Sequence, residues 1–172
     1  MNLKNSNAYT FILLLAVFAG FLYFNGGAIN QAPNIAVNTL TGEKISLHTL
    51  KGKPTLVTFW ATDCPGCIKE IPHLKALHAD YDAKGLNMIA IAMYYDRPDH
   101  VIAMTKDKQL PYKVALDPLG DAAKAFGNVR LTPTTFLIAP DGSIVLQKMG
   151  VFDEKDMRHR IDALLEESLG TS

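Results

Sequence analysis

The only two cysteines of the chain, Cys64 and Cys67, stand three residues apart in a stretch that also holds the only tryptophan, Trp60. Two thiols at this spacing predict either a redox-active disulfide or half of a zinc site. A zinc site needs two more ligands, but there is no third cysteine and the five histidines show no paired ligand spacing. The pair therefore predicts thiol–disulfide chemistry, with no metal and no cofactor beyond the disulfide itself.

The two thiols and one nearby carboxylate can be given different roles. Cys64 falls at the predicted start of a helix, where free N–H groups and the helix dipole stabilise a thiolate and lower the thiol pKa. Cys64 is therefore the predicted nucleophile, and Cys67, a turn deeper, is the predicted resolving thiol. Glu70 shares a helix face with Cys67, so it is either a proton acceptor for Cys67 or an ordinary solvated glutamate. The residues alone leave both interpretations open.

Strands and helices alternate around this pair. Strands are predicted at residues 35–40, 44–47, 54–60, 86–93, 113–116, 134–139 and 143–149. Helices are predicted from the cysteine pair to Gly85, at residues 98–109 with Val101 and Ile102 facing inward, at residues 121–126, and after the capping residue Asp153. Strand–helix alternation implies parallel strands, and the closing hairpin at residues 141–142 adds antiparallel ones. The expected class is α/β with a mixed central sheet.

The N-terminal segment is distinct from the rest of the chain. Residues 9–24 are almost entirely apolar, and Lys4 is the only charged residue before Glu43. Two interpretations stay open for residues 1–30: an uncleaved single-pass membrane anchor, or a signal peptide cleaved near Gly26 or Ala28. Both place the domain of residues 31–172 outside the cytoplasm, on the periplasmic or exterior side of the membrane, where disulfides persist.

The bulk composition bears on the kind of partner that the chain binds. Lys and Arg together number 17, as do Asp and Glu, so the formal net charge is zero. This balance gives no indication of a nucleic-acid partner. Apolar residues make up 48% of the chain, which is enough to fill a hydrophobic core.

Two motifs carry a family resemblance. The active-site stretch reads FWATDCPGCIKEIPHL and a downstream stretch reads VALDPLGDAAKAFGNVRLTPTTFLIAPDGSIV. In this order and at this separation they resemble the TlpA/ResA group of membrane-anchored, extracytoplasmic thiol–disulfide oxidoreductases, over residues 33–165. The resemblance implies a thioredoxin fold with an N-terminal β-hairpin, and it assigns residues 98–116 as a helix–strand insertion.

The resemblance also implies roles for residues outside the cysteine pair. Only about one X–Pro bond in twenty is cis, but the resemblance makes Pro133 a cis-proline that faces the disulfide, with Thr132 offering its backbone to an extended substrate. Glu70 matches a carboxylate that the group carries near its second cysteine, and Thr58 stands where simpler thioredoxins keep a buried aspartate. The substrate-binding surface implied by the family comprises Trp60, Asp63, Pro65, Thr132 and Pro133.

Two departures from the family pattern affect thiolate formation at Cys64 and the redox potential of the cysteine pair. Asp63 replaces the tryptophan that usually precedes the first cysteine, and its negative charge opposes thiolate formation at Cys64. The dipeptide between the cysteines is Pro65-Gly66, the reverse of the order in thioredoxin. Because this dipeptide helps to set the redox potential, the sequence does not determine the direction of exchange.

The resemblance suggests one main function and two alternatives. The main prediction is a reductase of protein disulfides, with apocytochrome c and copper-centre assembly proteins as possible substrates, re-reduced by a membrane electron donor. A disulfide-forming oxidant belongs to the same class of enzyme. A copper-handling chaperone on the same fold is the alternative from a different class, although such chaperones use a CxxxC spacing and a distant histidine.

Overall fold

The structure, a computed structural model, describes residues 30–170. The strands are β1 (Ala36–Thr39), β2 (Lys44–Ser46), β3 (Thr55–Trp60), β4 (Asn87–Ala92), β5 (Lys113–Leu116), β6 (Thr134–Ile138) and β7 (Ile144–Met149). The helices are α1 (Pro65–Tyr81), α2 (Pro98–Asp107), α3 (Asp121–Ala125) and α4 (Glu154–Gly170), with a 3-10 turn at Leu47–Leu50. The predicted anchor or signal segment lies almost wholly outside these residues. Within the described part of the chain, no helix is long and apolar enough to cross a membrane.

The strands form one mixed sheet in the order β2-β1-β5-β4-β3-β6-β7. Strand β3 pairs in parallel with β4, with Val57 opposite Ile89, and antiparallel with β6, where Val57 lies opposite Phe136. Strands β4 and β5 are also parallel, whereas β6 and β7 form the antiparallel closing hairpin. The predicted α/β class with a mixed central sheet is therefore confirmed.

The central strand β3 is buried along its whole length because both faces of the sheet are covered. Leu56 and Trp60 belong to one apolar cluster, which includes residues of α1, α2 and α4. Val57 and Phe59 belong to a second cluster, which includes residues of α3 and the 3-10 turn. Because side chains alternate along a strand, the two clusters lie on opposite faces. This double burial accounts for the charge-free composition of β3.

Two local predictions about the helices are wrong. Helix α1 ends at Tyr81 rather than at Gly85, which lies in the following turn with a φ of +102°. Ile102, predicted to face inward, is 53% exposed, whereas its neighbour Val101 is fully buried. A helix of three turns that covers the rim of a sheet buries only a narrow stripe, so adjacent positions differ in burial. The predicted cap of α4 is confirmed, since Asp153 Oδ1 accepts the Asp156 N–H at 2.8 Å.

Candidate active site

The cysteine pair lies at the carboxyl end of β3, where the chain turns into α1. Cys64 is the N-cap residue of α1, and Pro65 occupies the first helical position, where a missing N–H leaves no hydrogen bond unmade. Cys64 and Cys67 form a disulfide with a Cα–Cα distance of 5.3 Å. Cys64 is partly exposed, whereas Cys67 is 1% exposed. A partner protein can therefore reach the sulfur of Cys64 more readily than that of Cys67.

The helix start supplies a hydrogen bond to the outer sulfur. The Cys67 N–H donates to Cys64 Sγ at 3.2 Å, as an N-cap side chain accepts from the third helical residue. After reduction, the same N–H and the dipole of α1 favour negative charge on Cys64. The exposed carboxylate of Asp63, next in sequence, acts against this stabilisation. The outer thiol is therefore subject to two opposed electrostatic effects.

The loop before the cysteine pair is fixed by a residue that sequence reasoning missed. The Asp96 carboxylate, in the turn after β4, accepts the Thr62 N–H at 2.6 Å and the Thr62 hydroxyl at 2.7 Å. This two-point contact joins the ends of two adjacent parallel strands immediately beside Cys64. No local sequence signal relates Asp96 to a residue 34 positions earlier.

Glu70 is buried beneath the disulfide. It is 1% exposed, and its Oε1 accepts the Phe152 N–H at 3.1 Å. Burial raises the pKa of Glu70 from 4.5 to about 7, against the opposing effects of the Phe152 N–H and of His73. Of the two interpretations of Glu70 that the sequence leaves open, the solvated glutamate is therefore wrong.

A small internal cavity connects Glu70 with the inner thiol. Its volume of ~10 Å³ is close to the smallest that holds one water molecule. The cavity is lined by Thr58, Trp60, Cys67, Glu70, Ile71, Leu74, Ala90 and Tyr112. Burial and the charge of Glu70 also raise the pKa of the Tyr112 hydroxyl, so the tyrosine stays neutral. The inner sulfur and the carboxylate thus share a nearly dry compartment.

Thr58 stands where simpler thioredoxins keep a buried aspartate, so the cysteine pair has no carboxylate at this position. Thr58 is buried, and its hydroxyl accepts a hydrogen bond from the Thr135 hydroxyl at 3.0 Å. Among the described residues, two carboxylates are buried, Glu70 and Asp117. Asp117 caps α3 by accepting the N–H groups of Ala122 and Ala123. Glu70 is therefore the buried carboxylate available to the cysteine pair.

Trp60, to which the resemblance gives a role in substrate binding, lies in the interior of the protein. It is 4% exposed and lines the internal cavity rather than the outer surface of the site. The indole Nε1 is buried and has no hydrogen-bond partner among the described residues. The position of Trp60 at the end of β3, on the face covered by α1, accounts for this burial. In the disulfide form, Trp60 therefore packs beneath the cysteine pair, and its role in substrate binding stays a prediction.

The loop before β6 brings Pro133 to the cysteine pair from 66 residues away. The Thr132–Pro133 peptide bond is cis, as the resemblance implies. A Cβ added to Gly66 would lie 3.2 Å from Pro133 Cδ, so only glycine allows the observed approach without displacing the proline. Pro133 O accepts the Gly150 N–H at 2.8 Å. Thr132 is partly exposed beside this contact.

Most of the predicted site residues therefore converge. Asp63 and Pro65 are exposed at the rim, Pro133 lies against Gly66 with Thr132 next to it in the chain, and Glu70 lies beneath the cysteine pair. Tyr112 and residues 150–152 complete the site, and sequence reasoning missed them because they come from distant parts of the chain. Within residues 30–170, no group of three or more histidine, cysteine, aspartate or glutamate side chains is placed to hold a metal ion.

Comparison with known proteins agrees with this geometry. Residues 29–147 match the model of the AhpC/TSA family. The thiol–disulfide oxidoreductase ResA of Bacillus thuringiensis subsp. konkukian is 34% identical over 148 residues, which cover 81% of this chain and 84% of that protein. ResA of Bacillus subtilis is 32% identical over 139 residues, covering 81% and 75% of the two chains.

A solved structure supports the fold. The thiol:disulfide interchange protein of the thioredoxin family from Chlorobium tepidum TLS superposes with a TM-score of 0.72 at 26% identity, covering 79% of this chain and 96% of that one. The predicted thioredoxin fold is therefore confirmed. The shared sequence, the fold and the cysteine pair at the start of α1 together place this chain in the AhpC/TSA family, among the ResA-like thiol–disulfide oxidoreductases.

Proposed function

We propose that this oxidoreductase works as a reductant of protein disulfides outside the cytoplasm. The observation that carries the proposal is the buried carboxyl of Glu70, whose pKa is raised to about 7 and which shares a cavity with Cys67. A reductant must deprotonate its inner thiol to finish each cycle. A carboxyl that titrates near neutral pH suits that step.

The reaction proceeds in two exchanges. The Cys64 thiolate attacks one sulfur of the substrate disulfide, forms a mixed disulfide and releases one substrate thiolate, which takes a proton from solvent. The Cys67 thiol then loses its proton and attacks the Cys64 sulfur. This step forms the Cys64–Cys67 disulfide and releases the second substrate thiolate, which also takes a proton from solvent. Two electrons and two protons pass to the substrate, and the enzyme ends in the disulfide state.

Glu70 accepts the proton of Cys67 in the second exchange. A thiol that is 1% exposed ionises with difficulty because its thiolate loses solvation. The ionised Glu70 carboxylate takes the proton directly or through a water in the shared cavity, becomes neutral, and later returns the proton to solvent. Because the apolar environment favours the neutral carboxyl, burial strengthens Glu70 as a base for this step.

The substrate binds across the rim formed by Asp63, Pro65 and the Thr132–Pro133 loop. Exposed apolar side chains occur in the segments beside this rim, among them Ile68, Leu131 and Val151. An extended, partly apolar segment of a disulfide-containing protein suits such a surface. The negative charge of Asp63 favours substrates without acidic residues next to their cysteines.

The apolar N-terminal segment supports a location outside the cytoplasm and a membrane electron donor. Residues 9–24 provide a hydrophobic segment suited to an anchor or an export signal. As an anchor, it holds the domain next to the membrane, where a membrane electron donor returns the Cys64–Cys67 disulfide to the dithiol after each cycle. Proteins that need reduced cysteines for cofactor attachment outside the cytoplasm are the expected substrates.

Trapping and potentiometry test the proposal on the full chain in mild detergent. The variant Cys67→Ser should accumulate mixed disulfides with substrate proteins, whereas Cys64→Ser should lose exchange altogether. The reduction potential of the pair should lie nearer the reducing value of thioredoxin, about −270 mV, than the oxidising value of about −120 mV known for DsbA. A potential near the oxidising value, or preferential alkylation of Cys67 at neutral pH, would contradict the proposal.

A further inference from the structure

The Phe152 amide, which donates to Glu70, belongs to a short connection between β7 and α4. At the β7 end of this connection, the Gly150 N–H donates to Pro133 O at 2.8 Å. At the α4 end, Glu154 is the first helical residue, only two positions after Phe152. Whatever holds Glu154 therefore also limits the movement of the Phe152 N–H relative to Glu70.

His73 of α1 holds Glu154. Its Nδ1 contacts the Oε2 of Glu154, and the two side chains are 44% and 30% exposed. His73 follows Glu70 by three residues, so the histidine and the carboxyl of Glu70 lie on neighbouring positions of the same helix face. Helix α1 thus contacts the connection twice, through Glu70 at the Phe152 amide and through His73 at the start of α4.

We infer that His73 is a positioning residue for the proton transfer from Cys67. Its contact with Glu154 keeps the Phe152 N–H directed at the Glu70 carboxylate and so controls how readily Glu70 accepts the proton. This inference rests on the proposed role of Glu70 as the base.

The charged and titratable groups around this contact act together. Glu70 faces Cys67, the Tyr112 hydroxyl and the charge of His73. Glu154 faces His73 and also accepts from Arg158, which reaches Asp80 on α1 at 2.7 Å. Loss of His73 removes both a favourable charge and the support of the Phe152 donor. Both changes destabilise the ionised form of Glu70, so the midpoint for proton transfer moves to higher pH.

The Asp80–Arg158 pair provides a matched control. It also links α1 to α4, but Asp80 lies ten residues beyond Glu70, roughly 15 Å along the helix. The variant Asp80→Ala therefore loses an ion pair between the same two helices, while both contacts of Glu154, with His73 and with Arg158, stay in place. The variant His73→Arg retains a cationic donor for Glu154 and serves as the rescue.

Two measurements on the full chain in detergent test the inference. In His73→Ala, hydrogen exchange at the Phe152 amide of the disulfide form should accelerate about tenfold, because the free energy of local opening falls. Release of the second thionitrobenzoate from the chromogenic disulfide DTNB follows the attack by Cys67, and its pH midpoint should rise by about half a unit. Asp80→Ala should change neither value, and His73→Arg should restore both.

Several outcomes would overturn the inference. Unchanged exchange at Phe152 in His73→Ala would show that the histidine does not position the amide. An equal acceleration in Asp80→Ala would indicate general loosening of α4 instead. The proposed base role fails separately, if Glu70→Gln leaves the pH profile of the Cys67 step as in the parent chain, and the exchange rate at Phe152 still reports on His73 in that case.

Discussion

The burial of Glu70 has a consequence for stability that can be measured without any substrate. Its pKa is raised from 4.5 to about 7 in the folded disulfide form. At about 1.4 kcal/mol per unit, this shift corresponds to a change of about 3 kcal/mol in the free energy of unfolding. The side chain is 1% exposed, so solvent does not screen the effect substantially.

The sign of the effect follows from proton binding. Between pH 4.5 and pH 7 the folded state binds more protons at Glu70 than the unfolded state, so the free energy of unfolding falls as pH rises. The contribution of Glu70 to stability is fully present below pH 4.5 and is lost as pH rises through about 7. The isosteric variant Glu70→Gln stays neutral and can still accept the Phe152 N–H. It should therefore lack this loss.

Denaturant unfolding at a series of pH values tests this expectation. The full chain in its disulfide form, in mild detergent, is unfolded by guanidinium at pH 4 to 8.5, and the fluorescence of Trp60 reports the transition. The two proteins should have similar stability near pH 4, and Glu70→Gln should be more stable by about 3 kcal/mol above pH 8. Effects of titrating groups that do not interact with Glu70 cancel in the difference.

An exposed glutamate on α4 provides the control for this test. Glu166 is exposed on α4, so Glu166→Gln should follow the parent chain at every pH. Parallel profiles for Glu70→Gln and the parent chain would show that burial does not raise the pKa of Glu70, which would refute this reasoning. A Glu70→Gln variant less stable at high pH would show that the carboxylate is stabilised in the folded state, contrary to its surroundings.

Two further variants and one titration test the chemistry of the cysteine pair. Asp63→Asn removes a negative charge next to Cys64 and should lower the pKa of that thiol, seen as faster alkylation by iodoacetamide at low pH; slower alkylation would contradict the charge argument. Gly66→Ala places a Cβ 3.2 Å from Pro133 Cδ and should slow exchange with protein disulfides while leaving the reaction with DTNB almost unchanged; equal losses would instead indicate damage to the thiols. Titration of the reduced chain with Cu(I) should show no tight stoichiometric binding that depends on a histidine, and such binding would favour the copper-chaperone alternative.

Much of the fold was predictable because its signals are local. The uncharged composition of β3 indicates burial on both faces, and Asp153 caps the last helix as its position before an amphipathic run suggests. Errors occurred where burial depends on how a helix is rotated against its neighbours. Ile102 and Val101 are both apolar, and only the packing of α2 decides that Val101 is the buried one.

The sequence by itself determined the cysteine pair and its place at a strand–helix junction, and it predicts the order of attack, because N-capping, proline at the first helical position and a spacing of three all act within one helical turn. Only the tertiary structure decided the state of Glu70. Its pKa depends on burial and on the Phe152 N–H, a donor 82 residues away. The approach of Pro133 to Gly66 was likewise settled by the sheet, which sets β6 beside β3. Desolvation is a property of the whole surrounding volume, and that volume exists only once distant segments have packed together.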